Sequence, residues 1–260
     1  MKLKDKVAII TGGVAGIGKE IALGYVKEGA KVVAIDVAVD AVEAMDQELK
    51  AGNNGMALKA DITKRAEVDA AIGQVASELG SIDILVNCAA IYPNVPFMMI
   101  SEEDWMQVID IDLNGVYRCT QAAAGVMLKQ GSGRIINISS GQALIGVPLM
   151  AHYSAAKGAL ISMTRALAAE LSPSGINVNC VAPGLTATEH VKAAIPPQYL
   201  EAMAGACTLG RLANPDEYVG ICVLLASDDG SYITGETIRV DGGLTQVQPP
   251  APPGFGEDEG

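Results

Sequence analysis

The sequence lacks the residues on which several protein classes depend. Histidine occurs only twice in 260 residues, and none of the five cysteines is part of a Cys-x-x-Cys pair. An odd number of widely spaced cysteines with so few histidines predicts neither a disulfide framework nor a zinc site. We therefore expect reduced, mostly buried thiols and no bound metal.

Positive charge is also scarce, because 18 Lys and Arg residues stand against 30 Asp and Glu residues, a formal net charge of −12. This balance repels nucleic-acid phosphates and anionic lipid, so we expect neither a nucleic acid nor a membrane surface as the main partner. The N-terminal apolar run, residues 7–10, is too short for a signal peptide or a membrane span. The expected location is the cytoplasm.

Apolar residues make up 50% of the chain and form short β-branched runs that alternate with longer helical patterns. This alternation predicts one α/β domain over residues 1–245, a doubly wound sheet of seven parallel strands with helices on both faces. The strands are expected at residues 6–10, 31–36, 55–61, 82–87, 134–139, 177–182 and 237–240. Residues 246–260, rich in proline and glycine with an acidic cluster, are expected to form a mobile tail.

Two longer helices have recognisable ends. Ser101 and Asp104 have the spacing of a capping box and predict a long helix that runs toward Lys129. A second helix is expected from Tyr153 to Leu171, before a proline and a glycine stop it.

A glycine-rich stretch joins the first predicted strand to the helix after it. Gly12, Gly16 and Gly18 fall where backbone N–H groups and the helix dipole can hold a pyrophosphate. Asp36 closes the second predicted strand about twenty residues later, where a carboxylate binds an adenosine ribose and repels a 2′-phosphate. Together these features predict a Rossmann site that prefers NAD to NADP. The structural alternatives are a plain strand-to-helix turn and a turn-forming aspartate.

Tyr153 and Lys157 are four residues apart, so a helix places them on one face. A free phenol has a pKa of about 10, and a fixed ammonium beside it favours ionisation and makes it a better base. The spacing alone is also typical of an exposed tyrosine and a surface lysine. Ser140 follows an apolar run 13 residues before Tyr153 and adds a hydroxyl to the same predicted site.

With these motifs the sequence resembles the short-chain dehydrogenase/reductase family, from Lys6 to about Gly243. The family's Thr-Gly-x-x-x-Gly-x-Gly motif is met at residues 11–18 and its Tyr-x-x-x-Lys motif at residues 153–157. The resemblance identifies Asn114, Ser140, Tyr153 and Lys157 as the catalytic residues. It implies dinucleotide contacts at Gly12, Ala15, Gly16, Ile17, Gly18, Asp36, Asp61, Ile62, Asn87, Ala89, Tyr153, Lys157, Pro183, Gly184, Thr186 and Thr188. One motif departs, since Ala90 stands where the family usually has glycine.

The resemblance implies an oxidoreductase that interconverts a secondary alcohol and a ketone, with NAD as the dinucleotide that Asp36 favours. Tyr153 would act as the acid/base, while Lys157 would lower its pKa and bind the nicotinamide ribose. Ser140 would bind the substrate oxygen, and Asn114 would shape its helix and hold a water. The family also implies a homotetramer, or a dimer.

Three mostly apolar segments, residues 91–97, 141–150 and 185–205, are expected to line the substrate side. They suggest a neutral, largely apolar alcohol or ketone, unless they simply pack the loops. The expected substrate contacts are Tyr92, Ser140, Gln142, His152 and Tyr153. The last segment also has the composition of a lid that closes over substrate.

Two other functions stay open. A 3-oxoacyl thioester reductase of the same fold would use the same residues, but it would usually want NADPH and a basic surface for an acidic carrier protein. A non-catalytic dinucleotide-binding sensor could keep the fold without the activity.

Overall fold

A computed structural model describes residues 1–247 and contains a seven-stranded sheet in which every strand pair is parallel. The strands are β1 (Val7–Thr11), β2 (Lys31–Asp36), β3 (Gly55–Lys59), β4 (Ile84–Asn87), β5 (Gly133–Ile138), β6 (Ile176–Pro183) and β7 (Thr237–Val240). The seven-stranded parallel sheet is confirmed, and the strand bounds differ from those expected by at most two residues. The expected acidic tail lies outside the described residues except for positions 246 and 247.

Helices cover both faces of the sheet. They are α1 (Gly16–Lys27), α2 (Val39–Ala51), α3 (Arg65–Leu79), α4 (Glu102–Ile109), α5 (Val116–Gln130), α6 (Ala151–Leu171), α7 (Glu189–Ala194), α8 (Pro197–Ala206) and α9 (Val219–Ala226). Alternate strand residues supply two cores, so that Ile10 packs with α1, α2 and α9, whereas Ile9 packs with α3, α5 and α6. Burial on both faces explains why the strands are apolar along their whole length. Among residues 1–247, no helix combines the length and apolar character needed to cross a membrane.

The spatial order of the strands is β3-β2-β1-β4-β5-β6-β7. The chain adds β2 and β3 on one side of β1 and then crosses over to add β4 to β7 on the other side, so the winding reverses between β1 and β4. In sheets of this kind the crevice at that reversal, beyond the carboxyl ends of the strands, is where ligands bind. The predicted glycine loop follows β1, Asp36 ends β2, and Ser140 follows β5 closely. The topology therefore brings residues distant in sequence to one edge of the sheet.

The predicted helix from Ser101 toward Lys129 begins as expected but is not continuous. The Ser101 hydroxyl accepts the Asp104 backbone N–H at 3.0 Å, and the Asp104 carboxylate accepts from the Ser101 backbone, which completes the capping box. After α4, residues Asp110–Gly115 form a π-helical segment, and α5 follows it. A π turn holds an extra residue per turn and changes which side chains face inward.

Candidate active site

The glycine loop packs directly against the chain that leaves β4. Gly12 has a φ of 66°, and a Cβ at this position would lie 2.8 Å from the Cα of Ala89. A Cβ on Gly18 would collide with the carbonyl oxygen of Gly12. Only glycine fits these two positions, so the loop backbone remains open to a ligand as large as a pyrophosphate.

Helix α1 begins at the end of this loop. Ala15 is its N-cap and provides no side-chain hydrogen bond to the first turn, which leaves backbone N–H groups available for an anion. Gly16 also has a positive φ, of 52°, and a Cβ there would be 3.5 Å from Cγ2 of Thr188. The half-buried Ile17 follows it. The loop, the helix terminus and Thr188 thus form a cradle that fits a dinucleotide pyrophosphate.

Asp36 lies at the carboxyl end of β2, where its Oδ1 accepts the backbone N–H groups of Val37 (2.7 Å) and Ala38 (3.1 Å). These two bonds orient the carboxylate at the sheet edge. Neither residues 12–18 nor residues 36–40 contain Lys or Arg. The nearest cation by register is Lys59, which pairs with Asp36 across the β2–β3 ladder.

Asp61 and Ile62 are largely engaged within the fold. Asp61 accepts hydrogen bonds from the Thr63 hydroxyl (2.7 Å) and backbone N–H (2.9 Å), and these bonds with the nearby Lys64 keep the pKa of Asp61 below its usual value. Ile62 is buried against Gly115, since a Cβ added to Gly115 would lie 2.6 Å from the Cδ1 atom of Ile62. The Asp61 backbone is also engaged, since its N–H donates to Glu67 at 2.9 Å and its carbonyl oxygen accepts the Lys64 N–H at 3.0 Å.

The segment after β4 packs beside the glycine loop. Ala89 lies next to Gly12. The Asn87 amide nitrogen donates to Thr120 (3.0 Å) and Asn137 (2.9 Å), which joins β4 to β5 and α5. Its amide oxygen is buried and has no hydrogen-bond partner, and the expected dinucleotide contacts of both residues stay predictions.

Ala90 causes no backbone strain in place of the usual glycine. In the part of the chain that the structure describes, the non-glycine residues at positive φ are Asp5, Asn53 and Leu149. A methyl group at position 90 is thus compatible with the local backbone.

The chain beyond β6 completes the cradle. The Gly184 N–H donates to the Val240 carbonyl at 2.9 Å, which fixes the turn after Pro183. The buried Thr186 hydroxyl bonds the Tyr218 hydroxyl at 2.6 Å, so it is occupied within the protein. Thr188 caps α7 by accepting the Val191 N–H at 3.2 Å, and it is the residue that contacts the glycine loop.

Tyr153 and Lys157 share one face of α6, as the spacing predicts. Both are buried, and Lys157 Nζ lies 5.7 Å from the centroid of the Tyr153 ring. Lys157 Nζ also donates to the Ile138 carbonyl oxygen at 3.2 Å, which holds the ammonium at the end of β5. The phenol therefore lies beside a fixed positive charge.

Burial and charge act in opposite directions on this pair. Burial is the main influence on Tyr153 and raises its pKa, while Lys157 and the nearby Ser140 side chain lower it without reversing the shift. For Lys157, burial lowers the pKa, but the negative charge of Asp112 raises it overall, so the side chain stays protonated. Lys157 thus acts on Tyr153 in the expected direction, against a larger effect of burial.

Ser140 and Tyr92 meet Tyr153 at the mouth of the site. The Ser140 oxygen accepts the Gln142 backbone N–H at 3.1 Å, and the Ser140 side chain lies close enough to Tyr153 to lower its pKa. The Tyr92 ring packs edge-on against Tyr153, with centroids 6.1 Å apart, and it also packs edge-on against His190, with centroids 5.7 Å apart. The Thr188 side chain lies near the Tyr92 phenol and lowers its pKa, against a larger effect of burial. A short chain of contacts therefore joins the acid/base pair to the glycine loop.

The model of the family described as "Enoyl-(Acyl carrier protein) reductase" matches residues 13–245. The chain belongs to the short-chain dehydrogenase/reductase family. A 3-oxoacyl-[acyl-carrier-protein] reductase FabG from Thermotoga maritima is 36% identical, over 94% of this chain and 99% of the relative. A 3alpha-hydroxysteroid dehydrogenase from Mediterraneibacter gnavus is 37% identical, over 93% and 98%. The crystal structure of a gluconate 5-dehydrogenase from Burkholderia cenocepacia J2315 in complex with NADP and tartrate superposes with a TM-score of 0.90 at 33% identity, covering 95% and 97%.

Two residues expected at the site of this short-chain dehydrogenase/reductase make hydrogen bonds within the fold. The Asn114 amide donates to Asp110 at 3.1 Å, within the π-helical segment. His152 has no exposed surface, and its Nδ1 accepts the Tyr153 backbone N–H. The water-holding role of Asn114 and the substrate contact of His152 stay predictions.

The residue that faces Lys157 is Asp112, which the sequence reasoning missed. Its side chain is fully buried, and its Oδ2 lies 3.6 Å from Lys157 Nζ. The one signal in the sequence is a carboxylate within the apolar run Ile111-Asp112-Leu113, a place where a buried charge needs a partner.

Proposed function

We propose that this chain is an NAD-dependent secondary-alcohol dehydrogenase in which Tyr153 exchanges a proton with the substrate oxygen. The observation that carries the proposal is the placement of Tyr153, Lys157 and the Ser140 hydroxyl together, joined through Tyr92 and Thr188 to the glycine loop. When bound, the nicotinamide supplies the acceptor or donor of the hydride.

The protein side chains divide the remaining work. In alcohol oxidation Tyr153 must be ionised to accept the hydroxyl proton, and in ketone reduction it must be protonated to donate one. Lys157 stabilises the phenolate by its charge, and Ser140 holds the substrate oxygen next to Tyr153. Because burial raises the pKa of Tyr153, oxidation is favoured by alkaline pH and reduction by lower pH.

The preference for NAD rests on Asp36. Its oriented carboxylate suits the two hydroxyl groups of an adenosine ribose and opposes a 2′-phosphate, and neither nearby segment offers Lys or Arg. The gluconate 5-dehydrogenase with bound NADP is a relative for which the other dinucleotide is recorded. The preference of this chain is therefore a question for direct measurement.

Substitution of Asp36 tests this preference. Asp36→Ser should lower kcat/KM with NAD relative to NADP by about tenfold or more, since charge-assisted hydrogen bonds contribute about 1.5–3 kcal/mol. Asp40→Asn, which neutralises an exposed carboxylate at the start of α2, is the matched control. Lys59→Ala tests whether Lys59, which is next to Asp36 in the sheet, binds a 2′-phosphate in the wild-type chain. If the wild-type chain prefers NADP, or if the ratio of kcat/KM with NAD to kcat/KM with NADP is unchanged in Asp36→Ser, Asp36 does not select NAD.

The proposed substrate is a neutral alcohol or ketone with apolar bulk. Tyr92, Leu144, Val147 and Leu149 come from the segments expected on the substrate side, and they offer no charge that would bind a phosphate. A panel of neutral secondary alcohols with NAD and with NADP, read by the absorbance of the reduced nicotinamide, tests the proposal. A chain that binds NADH but turns over no member of the panel or its ketones would be a dinucleotide-binding sensor.

A 3-oxoacyl thioester reductase is the second candidate, because the Thermotoga maritima relative carries that name at 36% identity. Against it stands the net charge of −12, since an acidic carrier protein would be repelled. Addition of a 3-oxoacyl thioester with NADPH to the same panel separates the two. If the thioester is reduced faster than every ketone, the second candidate replaces the first.

We also propose a cytoplasmic homotetramer, with a dimer as the alternative. The proposal is supported by large apolar side chains that are exposed on and before α4 and α5: Phe97, Met98, Met99, Met106, Tyr117 and Leu128. Large apolar side chains exposed in such number are typical of contacts between protein chains.

A further inference from the structure

The π-helical segment Asp110–Gly115 places a carboxylate directly behind the acid/base pair. Asp112 has no exposed surface, and its Oδ1 accepts the Ile91 backbone N–H at 2.9 Å. Its Oδ2 has no hydrogen-bond partner and lies 3.6 Å from Lys157 Nζ. A buried carboxylate is costly unless an opposite charge compensates it, and here that charge is the catalytic ammonium.

We propose that Asp112 is a positioning residue that holds the Lys157 ammonium and sets the pH at which Tyr153 ionises. The inference rests on the proposed function. The pair Asp112–Lys157 has almost no net charge, so it stabilises a phenolate less than an unpaired ammonium would. Tyr153 therefore stays protonated to higher pH, while Lys157 stays fixed at the end of β5.

The other groups that face this cluster do not replace Asp112. Cys88 and Cys180 lie near Lys157, but burial raises the pKa of each thiol to about 11, so both are neutral at physiological pH. Tyr92 faces Tyr153, and its pKa is raised, chiefly by burial. Ser140 carries no charge.

His152 is the remaining titratable group beside Asp112. It is fully buried, its Nδ1 accepts the Tyr153 backbone N–H, and its Nε2 has no hydrogen-bond partner. Burial raises the pKa of Asp112 overall, against Lys157 and the Ile91 N–H. In the described residues, Asp112 is thus the carboxylate paired with Lys157.

Asp112→Asn tests the proposal because it removes the charge and keeps the shape. The ionisation of Tyr153 is followed as phenolate absorbance, taken as the difference between each protein and its Tyr153→Phe derivative, with NAD bound. We expect the midpoint to fall by about one pH unit in Asp112→Asn. The midpoint of the pH profile for alcohol oxidation should fall by the same amount.

Asp110→Asn is the matched control, because Asp110 lies in the same segment but pairs with Arg118 at 2.7 Å. Its Tyr153 midpoint should not move. NADH fluorescence shows that each variant still binds the dinucleotide, and Asp112→Ser is a second neutral variant if Asp112→Asn does not fold. An unchanged midpoint in the Asp112 variants, or an equal shift in Asp110→Asn, overturns the proposal. The absorbance titration needs no substrate, so a failure of the proposed function is recognised separately by absent turnover.

Discussion

Gly12 lies so close to Ala89 that any side chain at position 12 would collide with the Ala89 backbone. Its φ of 66° is also a conformation in which alanine costs about 1–2 kcal/mol. Gly73, which is exposed within α3, is in the opposite situation. Apart from the adjacent backbone of α3 itself, no atom lies within 4 Å of the position that a Cβ on Gly73 would take. The same substitution at the two sites separates a functional glycine from an incidental one.

We predict that Gly12→Ala weakens NADH binding at least about tenfold, since a misplaced loop loses more than about 1.4 kcal/mol of binding energy. Gly73→Ala should leave binding unchanged and raise the free energy of unfolding by about 0.5–1 kcal/mol, because alanine favours a helix interior. NADH fluorescence titration and urea unfolding measure the two quantities. Equal NADH affinity in both variants would show that the loop does not hold the dinucleotide.

At the scale of elements, local sequence patterns predict where a helix begins better than where it is interrupted. The capping box at Ser101 and Asp104 was predictable because its two hydrogen bonds depend on residues three apart. The π-helical segment Asp110–Gly115 was not, because no residue type marks the extra residue of a π turn. The family resemblance indicated Asn114, whereas the fold turns Asp112 toward Lys157.

The segment 185–205 has the features of an element that moves. Helices α7 and α8 contain no buried residue, so few apolar contacts oppose their opening. Thr188, at the start of α7, contacts both the glycine loop and Tyr92. A ligand in the cradle would therefore rest against this segment.

We predict that NAD protects this segment from limited proteolysis. Cleavage within residues 185–205 should slow several-fold at saturating NAD, because closure lowers the population of the open form. Fragment mass spectrometry locates the cuts, and adenosine at equal concentration is the control ligand. If cutting in this segment is the same with and without NAD, it does not act as a lid.

At the scale of the whole molecule, the site exists only because the sheet gathers distant residues. Gly12 and Tyr153 are 141 positions apart in the sequence, yet Thr188 and Tyr92 connect them within the fold. The sequence predicted the strands because burial on both faces makes them apolar throughout. It could not predict that Asn87 is used inside the sheet, because partners on other strands decide that bond.

We predict that the purified chain has four times the chain mass in light scattering, or twice that mass if the dimer is the final state. Tyr117, about half exposed on α5, is expected at a subunit contact. Tyr117→Glu should lower the mass, because it buries an unpaired charge at the interface. Tyr232→Glu, at a fully exposed position, is the control that should not. A monomeric wild-type chain would contradict this assembly.

The central claim is that Tyr153 is the acid/base of a dinucleotide-dependent alcohol oxidation. The most direct measurement compares wild-type chain and Tyr153→Phe for NAD reduction by the best alcohol of the panel, across neutral to alkaline pH. We predict a wild-type rate that rises with pH as the phenolate forms, and a loss of about 10²–10⁴-fold in Tyr153→Phe with NADH binding retained. Turnover of the same size in Tyr153→Phe, with the same dependence on pH, would contradict the account.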